Sequence, residues 1–220
     1  MGGPGAGKGT QSAKIERALG IPHVSTGEIF RQHIEQQTDV GREIKHLLDD
    51  GHLAPDELTV RVVRERLADA DCQQGCLLDG FPRSVAQAKA LDEIVELQGG
   101  RVDLVINLEV SDDEVVSRLT SRRVCPVCGA IYNLEYNPPS VDGQCDNPAC
   151  EGARLIQRDD DREDVIRERI RVYHRKTEPL LQFYGAKGVL KTVRGEGKTP
   201  DAVFAKIESY LASPDVACGT

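Results

Sequence analysis

The sequence of 220 residues contains no tryptophan, four phenylalanines and five tyrosines, so aromatic residues make up only 4% of the chain. Proteins that bind single-stranded nucleic acid stack bases on aromatic side chains, and this composition offers little surface for stacking. Positive charge is also in the minority, because 28 Lys and Arg stand against 36 Asp and Glu, a formal net charge of -8. A general nucleic-acid binder needs a broad basic face, so this class is disfavoured.

Long apolar runs are also lacking. No stretch approaches the roughly 20 residues that span a bilayer, and the first ten residues, MGGPGAGKGT, lack the apolar core of a signal peptide. The seven cysteines are an odd number and four of them cluster, a pattern that fits a reduced compartment with a metal site better than a disulfide framework. We therefore expect a cytoplasmic protein that binds neither membranes nor nucleic acid.

What is present is a globular mixture, with 39% hydrophobic and 29% charged residues. Apolar runs predict strands at 76–78, 102–108 and 189–193. Helical periodicity with capping residues predicts eight helices: seven over 8–19, 25–34, 44–51, 56–67, 86–97, 163–184 and 200–211, and one that begins at 111. This alternation is typical of an α/β sheet with helices on both faces. Segments 25–55 and 120–158 interrupt it, so we predict two insertions in a core domain formed by 1–24, 56–119 and 159–220.

The first ten residues carry the core of a phosphate-binding loop, because Gly2 to Lys8 matches G-x-x-x-x-G-K. In such loops the backbone N–H groups and the amino terminus of the following helix bind a polyphosphate, and the lysine contacts the outer phosphates. The position after the lysine is Gly9 rather than the usual serine or threonine, and Thr10 follows it. A flexible glycine turn is the alternative. The candidate ATP ligands here are Gly5, Ala6, Gly7, Lys8, Gly9 and Thr10.

A phosphate-binding loop normally follows a buried strand, and only Met1 precedes Gly2 in this sequence. We therefore expect the first strand to be missing from the chain, with a true start further upstream. A sheet without this central strand would be less stable.

Four cysteines form two knuckles, Cys125 with Cys128 and Cys145 with Cys150. Their spacing is typical of a tetrahedral zinc site, although the second pair is separated by four residues rather than two. Reduced buried pairs or disulfides are the alternatives. An all-cysteine site leaves no ligand position for water, so the predicted zinc is structural, and it stabilises a lid of about forty residues that is too small to form much core.

Separated motifs complete the pattern. DGFPR at 79–83 follows a predicted strand with Gln87 beyond it, and STGEIFR occupies 25–31 while QRDDD occupies 157–161. Together with GPGAGKGTQ they resemble, in order and along nearly the whole chain, the zinc-containing, long-lid bacterial type of the adenylate kinase family. The resemblance implies a P-loop kinase fold with a parallel five-stranded sheet, a nucleoside monophosphate (NMP)-binding insertion and a lid. It also implies Mg²⁺-dependent conversion of ATP and AMP to two ADP.

The resemblance also assigns roles to single residues. It places Arg118 and Arg122 with the phosphate loop at ATP, and it places Thr26, Arg31, Arg83, Gln87, Arg158 and Arg169 at AMP. The catalytic set would be Lys8, Arg83, Arg118, Arg122, Arg158, Arg169 and Asp79, with Asp79 orienting water around Mg²⁺ and with Asp160 and Asp161 at the lid hinge. These residue types suit phosphoryl transfer, which depends on positioning and on positive charge around the equatorial oxygens.

Simpler interpretations remain for several of these residues. Asp79 could cap the turn after its strand, Arg118 and Arg122 could lie on a solvated helix face, and Gln87 could be a surface residue. For the whole chain, the alternatives are a UMP or CMP kinase, a zinc-ribbon binding protein that uses the phosphate loop as a switch, or an inactive relative. We expect a monomer, because both insertions must move.

Overall fold

The computed structural model describes residues 1–212, so Cys218 and the end of the predicted core segment lie outside it. Nine α-helices are found in this part: α1 (Lys8–Leu19), α2 (Thr26–Glu35), α3 (Asp39–Asp49), α4 (Asp56–Leu67), α5 (Val85–Leu97), α6 (Asp112–Thr120), α7 (Glu163–Val172), α8 (Pro179–Ala186) and α9 (Pro200–Leu211). The strands are β1 (His23–Ser25), β2 (Leu77–Asp79), β3 (Val105–Glu109), β4 (Arg122–Val124), β5 (Ile131–Asn133) and β6 (Leu190–Arg194).

Local capping signals account for several helix starts. The Ser25 hydroxyl accepts a hydrogen bond from the Glu28 N–H at 3.4 Å, and the Thr199 hydroxyl accepts one from the Ala202 N–H at 3.3 Å. Such caps satisfy N–H groups that have no partner within the helix. The predicted helices over 8–19 and 200–211 are confirmed, whereas the short strand β1 was not predicted.

The predicted long helix over 163–184 is wrong in its middle. After α7 the chain forms a π-helical turn, Tyr173–Thr177, in which the Glu178 N–H donates to the Tyr173 carbonyl at 3.0 Å. Pro179 begins α8, and a proline has no N–H and displaces the carbonyl four residues before it. The helix widens here because Pro179 has no N–H to donate an α-helical hydrogen bond to the carbonyl four residues before it.

The prediction of one five-stranded parallel sheet is not confirmed in residues 1–212. The strands form two separate parallel pairs, β1 with β2 and β3 with β6, and an antiparallel hairpin of β4 and β5. Between the parallel pairs, the Met1 carbonyl accepts from the Leu108 N–H at 3.0 Å, and Gly2 forms an isolated bridge to Leu108.

Each predicted insertion contributes to a small apolar cluster, and the cluster of segment 25–55 also includes α4, which begins the predicted core segment 56–119. Helices α2, α3 and α4 surround Phe30, Ile44 and Leu58. In segment 120–158, by contrast, three of the five buried cluster residues are cysteines, accompanied by Tyr132 and Leu155. Within residues 1–212, none of the helices combines the length and apolar character required to cross a membrane.

Candidate active site

The phosphate loop joins Met1 to α1 and adopts conformations that glycine permits. Gly5 and Gly7 have φ values of 69° and 94°, in the left-handed region that other residues rarely adopt. A Cβ atom on Gly5 would lie 2.8 Å from the Leu119 Cγ. Helix α1 begins without a side-chain cap and without an acidic residue in its first turn. Its free N–H groups and dipole therefore form a site suited to an anion.

Lys8 closes this loop. Its ammonium nitrogen donates to the carbonyl oxygens of Gly2 at 2.9 Å and Gly3 at 2.6 Å. Burial, followed by the positive charge of Arg83, lowers the pKa of Lys8 to about 7. An anionic ligand would raise the pKa of Lys8 again, because it offers the buried amine a charged partner.

Asp79 ends β2 beside Lys8. Burial alone would raise the pKa of this carboxyl, but the adjacent His23 imidazole and the charges of Lys8 and Arg83 hold it below its usual range. The His23 Nε2 and an Asp79 carboxylate oxygen are 3.5 Å apart, since β1 and β2 pair in parallel with Ser25 opposite Asp79. Asp79 is therefore an ionised carboxylate at the edge of the phosphate loop, and its oxygen atoms can act as ligands.

Five arginines converge on the same region. Arg83, Arg122 and Arg169 act electrostatically on Lys8, and Arg31 and Arg122 act on Arg158. Burial and the charge of Arg122 lower the pKa of Arg158 to about 10, and burial lowers the pKa values of Arg83 and Arg169. Crowded, poorly solvated guanidinium groups carry unsatisfied positive charge, so the geometry favours a polyanionic ligand.

Asp161 partly balances this charge. Its side chain is fully buried, and its carboxylate accepts from the Arg122 Nε at 2.7 Å and Nη2 at 2.6 Å. The Arg169 Nη1 lies 3.7 Å from Asp161 and 2.8 Å from the Asp160 carboxylate. Asp160 and Asp161 of the QRDDD motif thereby fix Arg122 of segment 120–158 and Arg169 of α7 in one cluster.

Two of the residues predicted for AMP, Thr26 and Arg83, lie beside Gly80. A Cβ atom there would be 2.7 Å from the Thr26 hydroxyl and 3.5 Å from the Arg83 Nη2. Gln87 is only 1% exposed. Its amide oxygen accepts from the Arg83 N–H at 2.7 Å, and its amide nitrogen donates to Asp56 at 2.6 Å. The interpretation of Gln87 as a surface residue is therefore wrong, and both ends of its amide have protein partners.

Arg118 is not part of the arginine cluster. Its Nε donates to Glu114 at 2.9 Å and its Nη2 donates to the Gly195 carbonyl at 3.0 Å. Gly195 lies beside the phosphate loop, since a Cβ atom on it would be 4.0 Å from the Ala6 carbonyl. Arg118 therefore flanks the loop on the side of β6.

The four predicted zinc ligands are brought together. The Sγ atoms of Cys125, Cys128, Cys145 and Cys150 all lie within 4.8 Å of one another. The Cys128 and Cys145 Sγ atoms are 3.7 Å apart, close to the roughly 3.8 Å edge of a tetrahedron with Zn–S bonds of about 2.3 Å. The 3₁₀ turn Pro148–Cys150 accommodates the wider second spacing. None of the four is in a disulfide, and the spacing of their sulfur atoms fits a zinc ion.

The sequence comparisons agree with this geometry. Residues 1–189 match the family model described as adenylate kinase. The chain belongs to the adenylate kinase family. Over 211 residues it is 49% identical to the adenylate kinase of Bacillus subtilis, covering 96% of this chain and 95% of that protein. It is 47% identical over the same length to the enzymes of Lachnospira eligens and Archaeoglobus fulgidus, covering 97% and 95% of those proteins.

Three contributors to this adenylate kinase site were not predicted. His23 has no role in the predicted site, but it contacts Asp79. Asp56 holds both Gln87 and the Ser84 hydroxyl, the latter at 2.8 Å. Thr177 donates to the Arg83 carbonyl at 2.9 Å. His23 is 56 residues from Asp79, Asp56 is 31 residues from Gln87, and Thr177 is 94 residues from Arg83. No local sequence pattern indicates contacts between residues that far apart.

Proposed function

We propose that this protein catalyses reversible phosphoryl transfer between ATP and AMP, which yields two ADP. Membership of the adenylate kinase family establishes the reaction class, nucleoside monophosphate phosphorylation. The observation that carries the proposal for this chain is the convergence of Lys8, Asp79 and Arg83 at the end of β2, next to an uncapped helix terminus.

In this proposal the ATP phosphates lie on the backbone of residues 5–10 with Lys8, and Arg118 and Arg122 contact them from either side. AMP lies under the NMP-binding insertion, 25–55, against Thr26, Arg31 and Gln87. Its phosphate faces Arg83, and Arg158 and Arg169 close on the phosphoryl group in transfer. The crowding of these arginines supports their role, because phosphoryl transfer is accelerated by charge placed in advance around the equatorial oxygens.

The site also fits Mg²⁺, because Asp79 is a buried, ionised carboxylate beside the phosphate loop, and hard cations of this kind take oxygen ligands. When bound, Mg²⁺ neutralises charge that develops on the phosphates. Asp79 would orient its water ligands. The His23 contact holds the Asp79 carboxylate toward the loop.

We further propose that segment 120–158 is a lid clamped by structural Zn²⁺ on Cys125, Cys128, Cys145 and Cys150. The fit of these four sulfur atoms to a tetrahedron supports this assignment. Closure of the lid would exclude water and so prevent ATP hydrolysis. We place the protein in the cytoplasm, where its free thiols would persist, and we expect a monomer.

The experiment is to measure ADP formation from ATP and Mg²⁺ with AMP, UMP, CMP and GMP each offered as the acceptor. We expect turnover with AMP at least one hundredfold above the others. Lys8→Gln should abolish it, whereas Lys14→Gln on the same helix should not, because Lys14 pairs with Asp201 at the surface. Turnover with UMP or CMP instead would show a kinase with a different acceptor.

A further inference from the structure

We infer that Thr177, at the end of the π-helical turn, is a positioning residue for Arg83. Its buried hydroxyl would hold the Arg83 backbone so that the guanidinium faces the acceptor phosphate. The inference rests on the proposed placement of Arg83 at the AMP phosphate. The Thr177 Oγ1 donates to the Arg83 carbonyl at 2.9 Å, across 94 residues of sequence, and Thr177 is only 3% exposed.

The bond from Thr177 completes a set that fixes Arg83 on every side. The Arg83 N–H donates to the Gln87 amide oxygen at 2.7 Å, and the Arg83 Nε donates to the Gly80 carbonyl at 2.8 Å. Because Thr177 binds the Arg83 carbonyl, the backbone N–H, the backbone carbonyl and the Nε of Arg83 all have hydrogen-bond partners. The outer guanidinium nitrogens are left to meet a ligand. Such preorganisation matters because a charged group must be held closely to act on a phosphate.

The contact differs from those of two other helical threonines, Thr59 and Thr120, whereas the Thr26 hydroxyl also donates to a distant carbonyl, that of Asp79 at 3.5 Å. The Thr59 hydroxyl donates to the Pro55 carbonyl and the Thr120 hydroxyl donates to the Val116 carbonyl, each at 2.9 Å and each four residues back within its own helix. This local bond is the usual choice for a helical threonine. The Thr177 hydroxyl instead donates to a carbonyl in a distant segment. A local carbonyl would be enough to give the hydroxyl a hydrogen bond, so the need for a partner does not explain this distant contact.

The π-helical turn places this contact between the two nucleotide positions. Tyr173, the first residue of the turn, lies at the phosphate loop, since a Cβ atom on Gly3 would be 4.0 Å from the Tyr173 ring. Thr177, the last residue, lies at Arg83. Widened turns of this kind occur frequently at functional sites. One helical turn therefore contacts the ATP loop at one end and the AMP arginine at the other.

The test compares Thr177→Val, which keeps the side-chain shape and removes the hydroxyl, with Thr177→Ser, which keeps the hydroxyl. We measure kcat, KM for each nucleotide, AMP affinity by calorimetry and the melting temperature. Loss of one hydrogen bond predicts a rise in KM for AMP of roughly threefold to tenfold for the valine variant. KM for ATP should not change, and the serine variant should be close to wild type. Thr177→Ala repeats the test if the valine variant does not fold.

Thr59→Val is the matched control, because Thr59 is equally buried at 4% exposure and its hydroxyl bond is local. It should lower the melting temperature without changing KM for AMP. The inference is wrong if Thr177→Val leaves KM for AMP unchanged, if it raises both KM values equally, or if serine fails to restore it.

Arg83→Lys separates the inference from the proposed function. If Arg83→Lys weakens AMP binding and Thr177→Val does not, only the role of Thr177 is wrong. If Arg83→Lys leaves AMP binding intact, the placement of Arg83 at the AMP phosphate is wrong and the role of Thr177 falls with it.

Discussion

Asp161 provides the sharpest test of how the arginine cluster is held together. Its carboxylate is fully buried and accepts two hydrogen bonds from Arg122, with Arg169 also within 3.7 Å. Asp161→Asn keeps the shape of the side chain and removes the charge. Two poorly solvated arginines would then face a neutral amide that accepts fewer hydrogen bonds.

Breaking a buried ion pair by removing one partner costs about 3–5 kcal/mol. The Arg122 and Arg169 side chains retain 16% and 23% exposure, so water can relieve part of this cost and the lower end of the range applies. We therefore expect Asp161→Asn to lower the free energy of unfolding by about 3 kcal/mol. With an m-value of about 3 kcal/mol/M, the urea midpoint should fall by about 1 M.

The assay is urea unfolding followed by circular dichroism without nucleotide. Asp159→Asn is the matched control, because Asp159 lies in the same 3₁₀ turn and is exposed; it should change stability by less than about 0.5 kcal/mol. In a double-mutant cycle with Arg122→Gln, the second change should cost about 1–3 kcal/mol less in the Asp161→Asn background. Equal effects of the two aspartate variants, or strict additivity with Arg122→Gln, would refute this reasoning.

Two further predictions concern the metal and the phosphate loop. Cys150→Ser should lose the zinc that we expect elemental analysis to find in the wild type, and its melting temperature should fall by about 5 °C, a loss of about 2 kcal/mol. Cys76→Ser is the control, because Cys76 lies outside the cluster and this variant should retain the metal. Retention of zinc by Cys150→Ser would exclude Cys150 as a ligand. With its pKa of about 7, Lys8 is mostly neutral at about pH 8 when no nucleotide is bound. A bound triphosphate raises that pKa. Lys8 should therefore take up close to one proton on ATP binding at about pH 8 and almost none at about pH 6. Calorimetry in buffers of different ionisation enthalpy measures the uptake, and equal uptake in Lys8→Gln would contradict the assignment.

The features that were predicted correctly depend on neighbours in the chain. The helix over 8–19 follows from a glycine loop and apolar spacing. The four cysteines lie in two short knuckles, and their spacing alone predicts that their sulfur atoms come together. The order of the motifs likewise identified the adenylate kinase family, because each motif is a local set of residue types.

Errors arose where the outcome depended on distant parts of the chain. The arrangement of β1, β2, β3 and β6 as two separate pairs could not be predicted, because apolar runs indicate strands but not the strands that lie beside them. The predicted helix over 163–184 was wrong in its middle, because the effect of Pro179 on the turn before it was missed.

The sequence by itself determined which residues of this protein are candidates for binding phosphate or metal, since chemistry and local spacing are properties of residue types. Only the tertiary structure decided how these residues are held. Gln87 is buried against Asp56, Arg122 is paired with Asp161, and Arg83 is fixed by Thr177. The physical reason is that charge balance and burial depend on groups brought together from 31, 39 and 94 residues away, and a linear pattern does not record those distances.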